Sequence, residues 1–127
     1  MKITVAVLTL LGAFAAYYCL TKPLAVRMAL PIGAVVSMDE VYESYPNGDY
    51  LHCLRAHISP TRFSDFAETM ALQKGVGLVE RLPACSADWW NSGLFKGVVF
   101  GNRNNTNESS TYAIYKDGWV YYVSHSY

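Results

Sequence analysis

The chain opens with a long uncharged run. Residues 3–20 carry no charged side chain, while Lys2 precedes the run and Lys22 follows it. At a rise of about 1.5 Å per residue, a helix of this length just crosses a hydrocarbon layer of roughly 30 Å. A helix also satisfies its own backbone hydrogen bonds inside that layer. The pattern therefore predicts a transmembrane helix in residues 1–22, with the membrane contacts made by residues 3–20.

The same run also fits a cleaved secretory signal. Lys2 would form the basic region, residues 3–12 the apolar region, and Ala13-Phe14-Ala15 the cleavage site. Cleavage near Ala15 would give a secreted or periplasmic protein. A retained helix would give a single-pass protein of the inner (plasma) membrane, and its short, weakly charged N-terminus favours a C-terminal domain outside the cytoplasm. Both alternatives place the rest of the chain outside the cytosol.

Apolar positions continue in residues 23–37, but helix-breaking residues interrupt them. Pro23 and Pro31 lie within this segment, and Arg27 adds a charge. The segment is too short and too interrupted for a second membrane span. We expect an extended juxtamembrane connector here, followed by an exported domain in residues 38–127.

The start of this domain resembles the first turn of a helix. Ser37 is a suitable N-cap, and the acids Asp39 and Glu40 suit the positive end of a helix dipole. A Pro-Asn-Gly sequence at residues 46–48 then predicts a turn. These signals predict a short helix between Ser37 and the turn.

Residues 50–58 predict a strand that leads into a helix. In YLHCLRAHI both alternating sets of side chains are partly apolar, as in a strand at the centre of a sheet. Ser59 is a suitable N-cap, and Pro60 suits the first helical position. Apolar residues follow helical spacing from Phe63 onwards, and we expect the helix to stop at Gly75.

Strands are predicted for most of the remaining chain. Residues 76–82 and 94–100 contain the short apolar runs typical of strands. Two aromatic and β-branched runs flank Lys116-Asp117-Gly118, which predicts a C-terminal hairpin. The expected fold is α+β, with an N-terminal transmembrane or signal helix before a small antiparallel sheet of four to five strands with one packed helix.

The charge is balanced overall but not along the chain. All ten acidic residues lie at Asp39 or later, while residues 38–127 contain seven of the ten basic residues. No basic stripe is visible in this mildly acidic domain. Because nucleic acid binding requires clustered cations, we exclude a nucleic acid partner.

Three cysteines are present. Cys19 lies in the uncharged run, which leaves Cys53 and Cys85 as candidates for a disulfide in an oxidising compartment. Closing this loop would add roughly 3 kcal/mol to the stability of the domain. Neither cysteine has the spacing of a CxxC or Cys/His ligand set, so we predict no metal site and no cofactor.

Acid/base chemistry would have to use His52, His57 or His125. His52 and His57 are five residues apart, so on a strand they point to opposite sides and cannot share a ligand. Cys53 points away from the adjacent His52 for the same reason. No catalytic motif occurs either. We therefore predict that the protein is not an enzyme and has no catalytic residues.

Aromatic residues are abundant, with ten tyrosines, three tryptophans and five phenylalanines. Such rings fill the core of a small domain, and they also dominate protein interfaces. The candidate partner-binding residues are Trp89, Trp90, Tyr121, Tyr122 and Tyr127.

Three functional hypotheses follow. The leading one is an envelope protein whose exported domain binds a protein partner, as an inhibitor or immunity-type protein against a toxin or enzyme. The alternative is an accessory subunit that its transmembrane helix holds in a larger membrane complex. The third is a glycan or small-molecule binder that uses Trp89, Trp90 and the terminal tyrosines.

Overall fold

Antiparallel strand pairing organises the fold. The computed structural model describes residues 2–21, 24–75, 85–91, 93, 99–106 and 108–126. Its helices are α1 (Lys2–Thr21), α2 (Leu24–Met28), α3 (Ile32–Ser37) and α4 (Pro60–Thr69). Its strands are β1 (Asp39–Ser44), β2 (Tyr50–His57), β3 (Leu72–Lys74), β4 (Phe100–Asn102), β5 (Ser109–Lys116) and β6 (Trp119–Ser126). These strands form one sheet in the order β1-β2-β6-β5-β4-β3, in which all neighbouring pairs are antiparallel.

The helices and the sheet make an α+β fold, but the sheet has six described strands rather than four to five. One strand that was not predicted is β1, where the sequence predicted a short helix. Its residues pair along β2, from Asp39 opposite Arg55 to Ser44 opposite Tyr50. This ladder satisfies backbone groups that so short a helix would leave unpaired at its ends. Pairing with β2 therefore outweighs the local capping signal.

The C-terminal hairpin is present as predicted. Strands β5 and β6 pair along their length up to Lys116 and Trp119. Asp117 and Gly118 connect them with φ angles of 52° and 85°. Positive φ at both positions is typical of a type I′ turn, whose twist matches that of the flanking strands.

The predicted helix after β2 is present as α4. The Ser59 side chain accepts a hydrogen bond from the backbone amide of Arg62 at 3.2 Å, and Pro60 lies in the first turn. These local contacts account for the start of the helix. Its buried side chains are Phe63, Phe66 and Ala67.

Helix α4 ends earlier than predicted. Its last residue is Thr69, and Ala71 takes the left-handed φ of 54° before the chain enters β3. Gly75 follows β3 instead of ending the helix. The predicted strand in residues 76–82 lies outside the described residues, as do residues 94–98 of the other predicted strand. Phe100, the last residue of that predicted strand, is the first residue of β4.

Two hydrophobic clusters cover the two faces of the sheet. On one face, which we call the helix face, Leu54 and Tyr122 pack against α4. On the opposite face, which we call the disulfide face, Leu51, Cys53 and Val123 form a second cluster. The segment of residues 24–37, which contains α2 and α3, adds three buried residues to the helix-face cluster: Val26, Leu30 and Ala34.

Residues 24–37 are therefore packed on the sheet instead of forming an extended connector. Val26, Leu30 and Ala34 repeat every four positions, which places them along one side of a helical segment. Pro31 separates two short helices here and does not keep the chain extended, since its carbonyl accepts the first hydrogen bonds of α3. Burial of the three apolar side chains favours this arrangement.

Helix α1 coincides with the predicted N-terminal helix. Taken over the residues that the structure describes, no helix is both long enough and apolar enough to cross a membrane. The large apolar side chains that α1 exposes include Ile3, Val5, Leu8, Leu10 and Phe14.

We expect the folded domain to begin at residue 24 rather than 38. A chain that starts at residue 24 should have the same melting temperature as the full chain of 127 residues. A chain that starts at residue 38 loses Val26 and Leu30, each worth about 1.5–3 kcal/mol when fully buried, as well as the smaller Ala34. That sum is a large part of the roughly 5–15 kcal/mol that stabilises a small domain. Thermal unfolding followed by circular dichroism checks this, and equal melting temperatures for the two shortened chains would contradict it.

Candidate functional site

Strand β2 directs alternate side chains to opposite faces of the sheet. His52 and Leu54 lie on the helix face, whereas Cys53 and Arg55 lie on the disulfide face. On the helix face β2 therefore presents apolar Leu54 beside polar His52, and on the disulfide face it presents Cys53 beside Arg55. The two polar side chains, His52 and Arg55, belong to two separate groups of interacting residues.

The group on the helix face contains Arg27, Glu40 and His52, which we call the buried triad. Both carboxylate oxygens of Glu40 accept hydrogen bonds from Arg27 Nη2. His52 Nε2 lies 2.9 Å from Glu40 Oε2. The side chains of Arg27, Glu40 and His52 are only 3%, 9% and 0% exposed. Because they come from α2, β1 and β2, the triad joins the short N-terminal helices to the sheet.

The buried triad keeps Glu40 ionised. Burial by itself raises the pKa of Glu40, but the hydrogen bond and the charge of His52 lower it, as do the charge and hydrogen bond of Arg27. The net result is a pKa below the ordinary value of 4.5. The carboxylate is therefore charged at neutral pH despite its low exposure.

A carboxylate beside an imidazole is also an arrangement used in acid/base catalysis. Here the His52 ring lies 5.4 Å from the Tyr42 ring and 5.7 Å from the Tyr122 ring, and it is fully buried. Among the described residues, its buried Nδ1 has no hydrogen-bond partner. Because solvent does not reach this ring, we interpret the triad as a structural contact.

On the disulfide face, the sulfur atoms of Cys53 and Cys85 lie at bonding distance. Their Cα atoms are 6.4 Å apart, within the range of about 4.4–6.8 Å that disulfides span. Cys53 is fully buried in the middle of β2. The bond therefore fastens residues 85–91 onto the sheet, and it joins the two cysteines that the sequence offered as candidates.

Residues 85–91 bring two tryptophans to Arg55. Arg55 Cζ lies 5.3 Å from the centroid of the Trp89 ring and 4.9 Å from that of the Trp119 ring. The Trp90 ring packs edge-on against Trp89 at 6.0 Å. Arg55 Nε also donates a hydrogen bond to Asp39 Oδ2 at 2.6 Å. We call this group of five residues, Asp39, Arg55, Trp89, Trp90 and Trp119, the tryptophan surface.

The three tryptophans of the tryptophan surface are all partly buried and partly exposed. Trp89 and Trp90 pack against the disulfide-face cluster while remaining partly exposed, and Trp119 is half-buried. A guanidinium over an indole face contributes about 0.5–2 kcal/mol, depending on desolvation. Rings fixed in this way present a large contact area with little loss of side-chain freedom, which is the property of interface anchors.

The structure brings together three of the five predicted partner-binding residues. Trp89 and Trp90 belong to the tryptophan surface, and Tyr121 pairs with Arg55 across the β2–β6 ladder. Tyr122 points to the other face, where it is 4% exposed and burial raises its pKa to about 12. It is therefore part of the helix-face core rather than of a surface. Tyr127 lies outside the described residues.

Three residues of the tryptophan surface are missing from the sequence prediction: Asp39, Arg55 and Trp119. The available signal was Arg55 itself, because a cation inside a partly apolar strand needs a partner or an aromatic face. Its partners come from β1 and β6, and only the register of those strands against β2 identifies them.

Other polar groups and cavities offer less chemistry. His125 Nδ1 lies 3.0 Å from Ser110 Oγ, and both residues are buried in the sheet. A groove of about 420 Å³ beside α4 is lined by Phe63, Leu72, Phe100 and neighbouring side chains. In the part of the chain that the structure describes, no three His, Cys, Asp or Glu side chains are placed to hold a metal ion.

No protein family model, curated protein or solved structure matches this chain. Of the two groups built on β2, the tryptophan surface is the one that solvent reaches.

We expect the buried triad to make the fold sensitive to acid. The folded pKa of Glu40 lies below 4.5, so its stabilising effect is complete above that pH and is lost as the pH falls through the folded value. Glu40→Gln should remove the part of the free energy of unfolding that is lost at acid pH. It should also lower the free energy of unfolding at pH 7 by about 3–5 kcal/mol, because Arg27 is left buried without its counter-charge.

Urea unfolding between pH 3 and pH 7 measures this effect. Asp65→Asn is the matched control, because Asp65 forms an exposed pair with Arg62 at 3.7 Å. An exposed pair contributes at most about 1 kcal/mol. An unchanged free energy of unfolding in Glu40→Gln would show that the triad does not support the fold.

We expect the disulfide to stabilise the domain and to hold the tryptophans on the sheet. Replacing Cys53 and Cys85 together by alanine should lower the free energy of unfolding by about 3–4 kcal/mol. The indole fluorescence should shift to longer wavelength as residues 85–91 loosen. Urea unfolding followed by fluorescence measures both effects. Cys19→Ala serves as the control and should change neither, and a double variant as stable as that control would refute the expectation.

Proposed function

We propose that this protein is an exported domain that binds a protein partner through the tryptophan surface, as an inhibitor or immunity-type protein. The observation that carries the proposal is the convergence of Trp89 and Trp119 on Arg55, with Trp90 packed against Trp89. Tryptophan and arginine are the residue types most enriched among interface residues that dominate binding energy. The disulfide and the uncharged N-terminal run support an exported location.

The rigidity of the surface favours a stoichiometric binder. Residues 85–91 are fastened by the disulfide, and Arg55 is held by Asp39 and two indoles. Side chains that are already ordered lose little entropy when a partner binds, so more of the contact energy remains as affinity. A small domain can therefore block a toxin or an enzyme without a cofactor.

Helix α1 supports a second candidate function, that of an accessory subunit of a membrane complex. Ile3 and Phe14 are 81% and 67% exposed. Large apolar side chains in water are unfavourable, so lipid or another subunit would cover them. In this alternative α1 makes the specific contacts, and replacing residues 1–22 by an unrelated signal or anchor abolishes function. An exported binding domain keeps its function after the same replacement.

The binding function predicts crosslinks from the tryptophan surface. A photoreactive p-benzoylphenylalanine in place of exposed Lys116, which pairs with Trp119, should capture a defined partner in native membranes. Adding Trp89→Ala should reduce the yield by roughly thirtyfold, because loss of an interface anchor costs about 2 kcal/mol or more. Circular dichroism would verify that this variant is folded.

Tyr45→Ala is the matched control, since Tyr45 is an exposed aromatic residue in the β1–β2 connection. Its crosslink yield should equal that of the unmodified surface. The proposal fails if Trp89→Ala and Tyr45→Ala behave alike. Crosslinks from Phe14 but none from position 116 would favour the accessory subunit.

A further inference from the structure

We infer that Arg55 is a carboxylate-binding site, which receives an Asp or Glu side chain of the protein partner. This inference rests on the proposed binding function and names the chemistry of the partner at that surface. It follows from how the guanidinium is held, which of its donors remain open, and which charges surround it.

The guanidinium of Arg55 is oriented before any partner binds. Its Nε–H donates to Asp39 Oδ2 at 2.6 Å, which fixes one edge of the planar group. The rings of Trp89 and Trp119 lie 5.3 Å and 4.9 Å from its Cζ atom. A salt bridge at one edge and two neighbouring indoles restrict both the tilt and the rotation of the group.

The opposite edge of the guanidinium remains open. Within the described residues, Arg55 Nη1 and Nη2 donate no hydrogen bond, and neither is among the polar atoms that are buried without a partner. The side chain is 28% exposed, so this edge reaches solvent. Two parallel N–H groups on a planar cation match the two oxygens of a carboxylate. The open edge therefore has the geometry of a bidentate carboxylate receptor.

Nearby charges favour an anion with a single negative charge. Lys116 pairs with Trp119 in the hairpin, and alternation along β5 places it on the same face as buried Ile114. The exposed His57 packs edge-on against Trp119 at 5.2 Å. Arg55 supplies the positive charge of the site, and the Asp39 carboxylate already pairs with one edge of it. Asp39 repels a doubly charged phosphate more strongly than a carboxylate.

The small probe phenylacetate tests the site, because it joins a carboxylate to a ring that can lie on an indole. Its matched control is phenylacetamide, which has nearly the same shape and no charge. The full chain in detergent micelles, labelled with ¹⁵N-tryptophan, reports binding through the indole N–H signals of Trp89 and Trp119. We expect saturable shifts with phenylacetate at millimolar concentrations and at least about tenfold weaker shifts with phenylacetamide.

Three arginine variants assign the effect to one residue. Arg55→Gln should abolish the phenylacetate response, whereas Arg62→Gln, which removes an exposed arginine of α4, should leave it unchanged. Arg55→Lys keeps the charge without the fork and should weaken binding at least about fivefold. If Arg55→Gln loses the dispersion of its indole signals, the comparison of the two probes on the native chain still decides, because it needs no variant.

Three results would overturn the inference. Equal shifts with phenylacetate and phenylacetamide would mean that only the ring binds. Stronger shifts with inorganic phosphate would assign the site to a tetrahedral anion. No shift with any probe would mean that the Arg55 edge binds no anion. Each of these results differs from failure of the proposed function. In that case the crosslink from position 116 is absent while the phenylacetate response is intact.

Discussion

The alternation of side chains along β2 is the constraint on which the rest of the structure depends. Strand β2 lies between β1 and β6, so both of its edges are paired, and a hydrophobic cluster covers each of its faces. One set of its residues, including His52 and Leu54, faces the helices, and the other set carries Cys53 and Arg55. A shift of one residue would exchange the two sets. Arg55 would then enter the helix-face core, and Cys53 would turn away from Cys85.

Strand β1 is held through charges on both of its faces. Asp39 and Glu40 are adjacent, so they point in opposite directions, the first to Arg55 and the second to Arg27. The exposed pair adds little stability, whereas removal of one partner of the buried pair is costly. Charges on an edge strand also oppose pairing with foreign strands. The same strand therefore anchors the N-terminal helices and orients the guanidinium of the tryptophan surface.

Local signals predicted the parts of the fold that depend on adjacent residues. The Asp117-Gly118 turn and the Ser59-Pro60 helix start are encoded within a few positions, and both are present. β1 was predicted wrongly because its capping signal is local, whereas its pairing with β2 is not. For residues 24–37, Pro31 and the preceding Pro23 suggested an extended chain, but the helix face of the sheet needs an apolar cover. The four-residue spacing of Val26, Leu30 and Ala34 was the overlooked signal.

The candidate site was only partly predictable, since register rather than composition assembles it. Adjacent tryptophans in a polar loop identified Trp89, but the β2–β6 register was needed to bring Trp119 to Arg55. Trp89 reaches the same place through the Cys53–Cys85 disulfide, and it packs on the disulfide-face cluster while remaining partly exposed. The open Nη edge of Arg55 differs, because Asp39 and the indoles engage only the rest of that side chain. This open edge is the part of the side chain on which the proposed carboxylate binding depends.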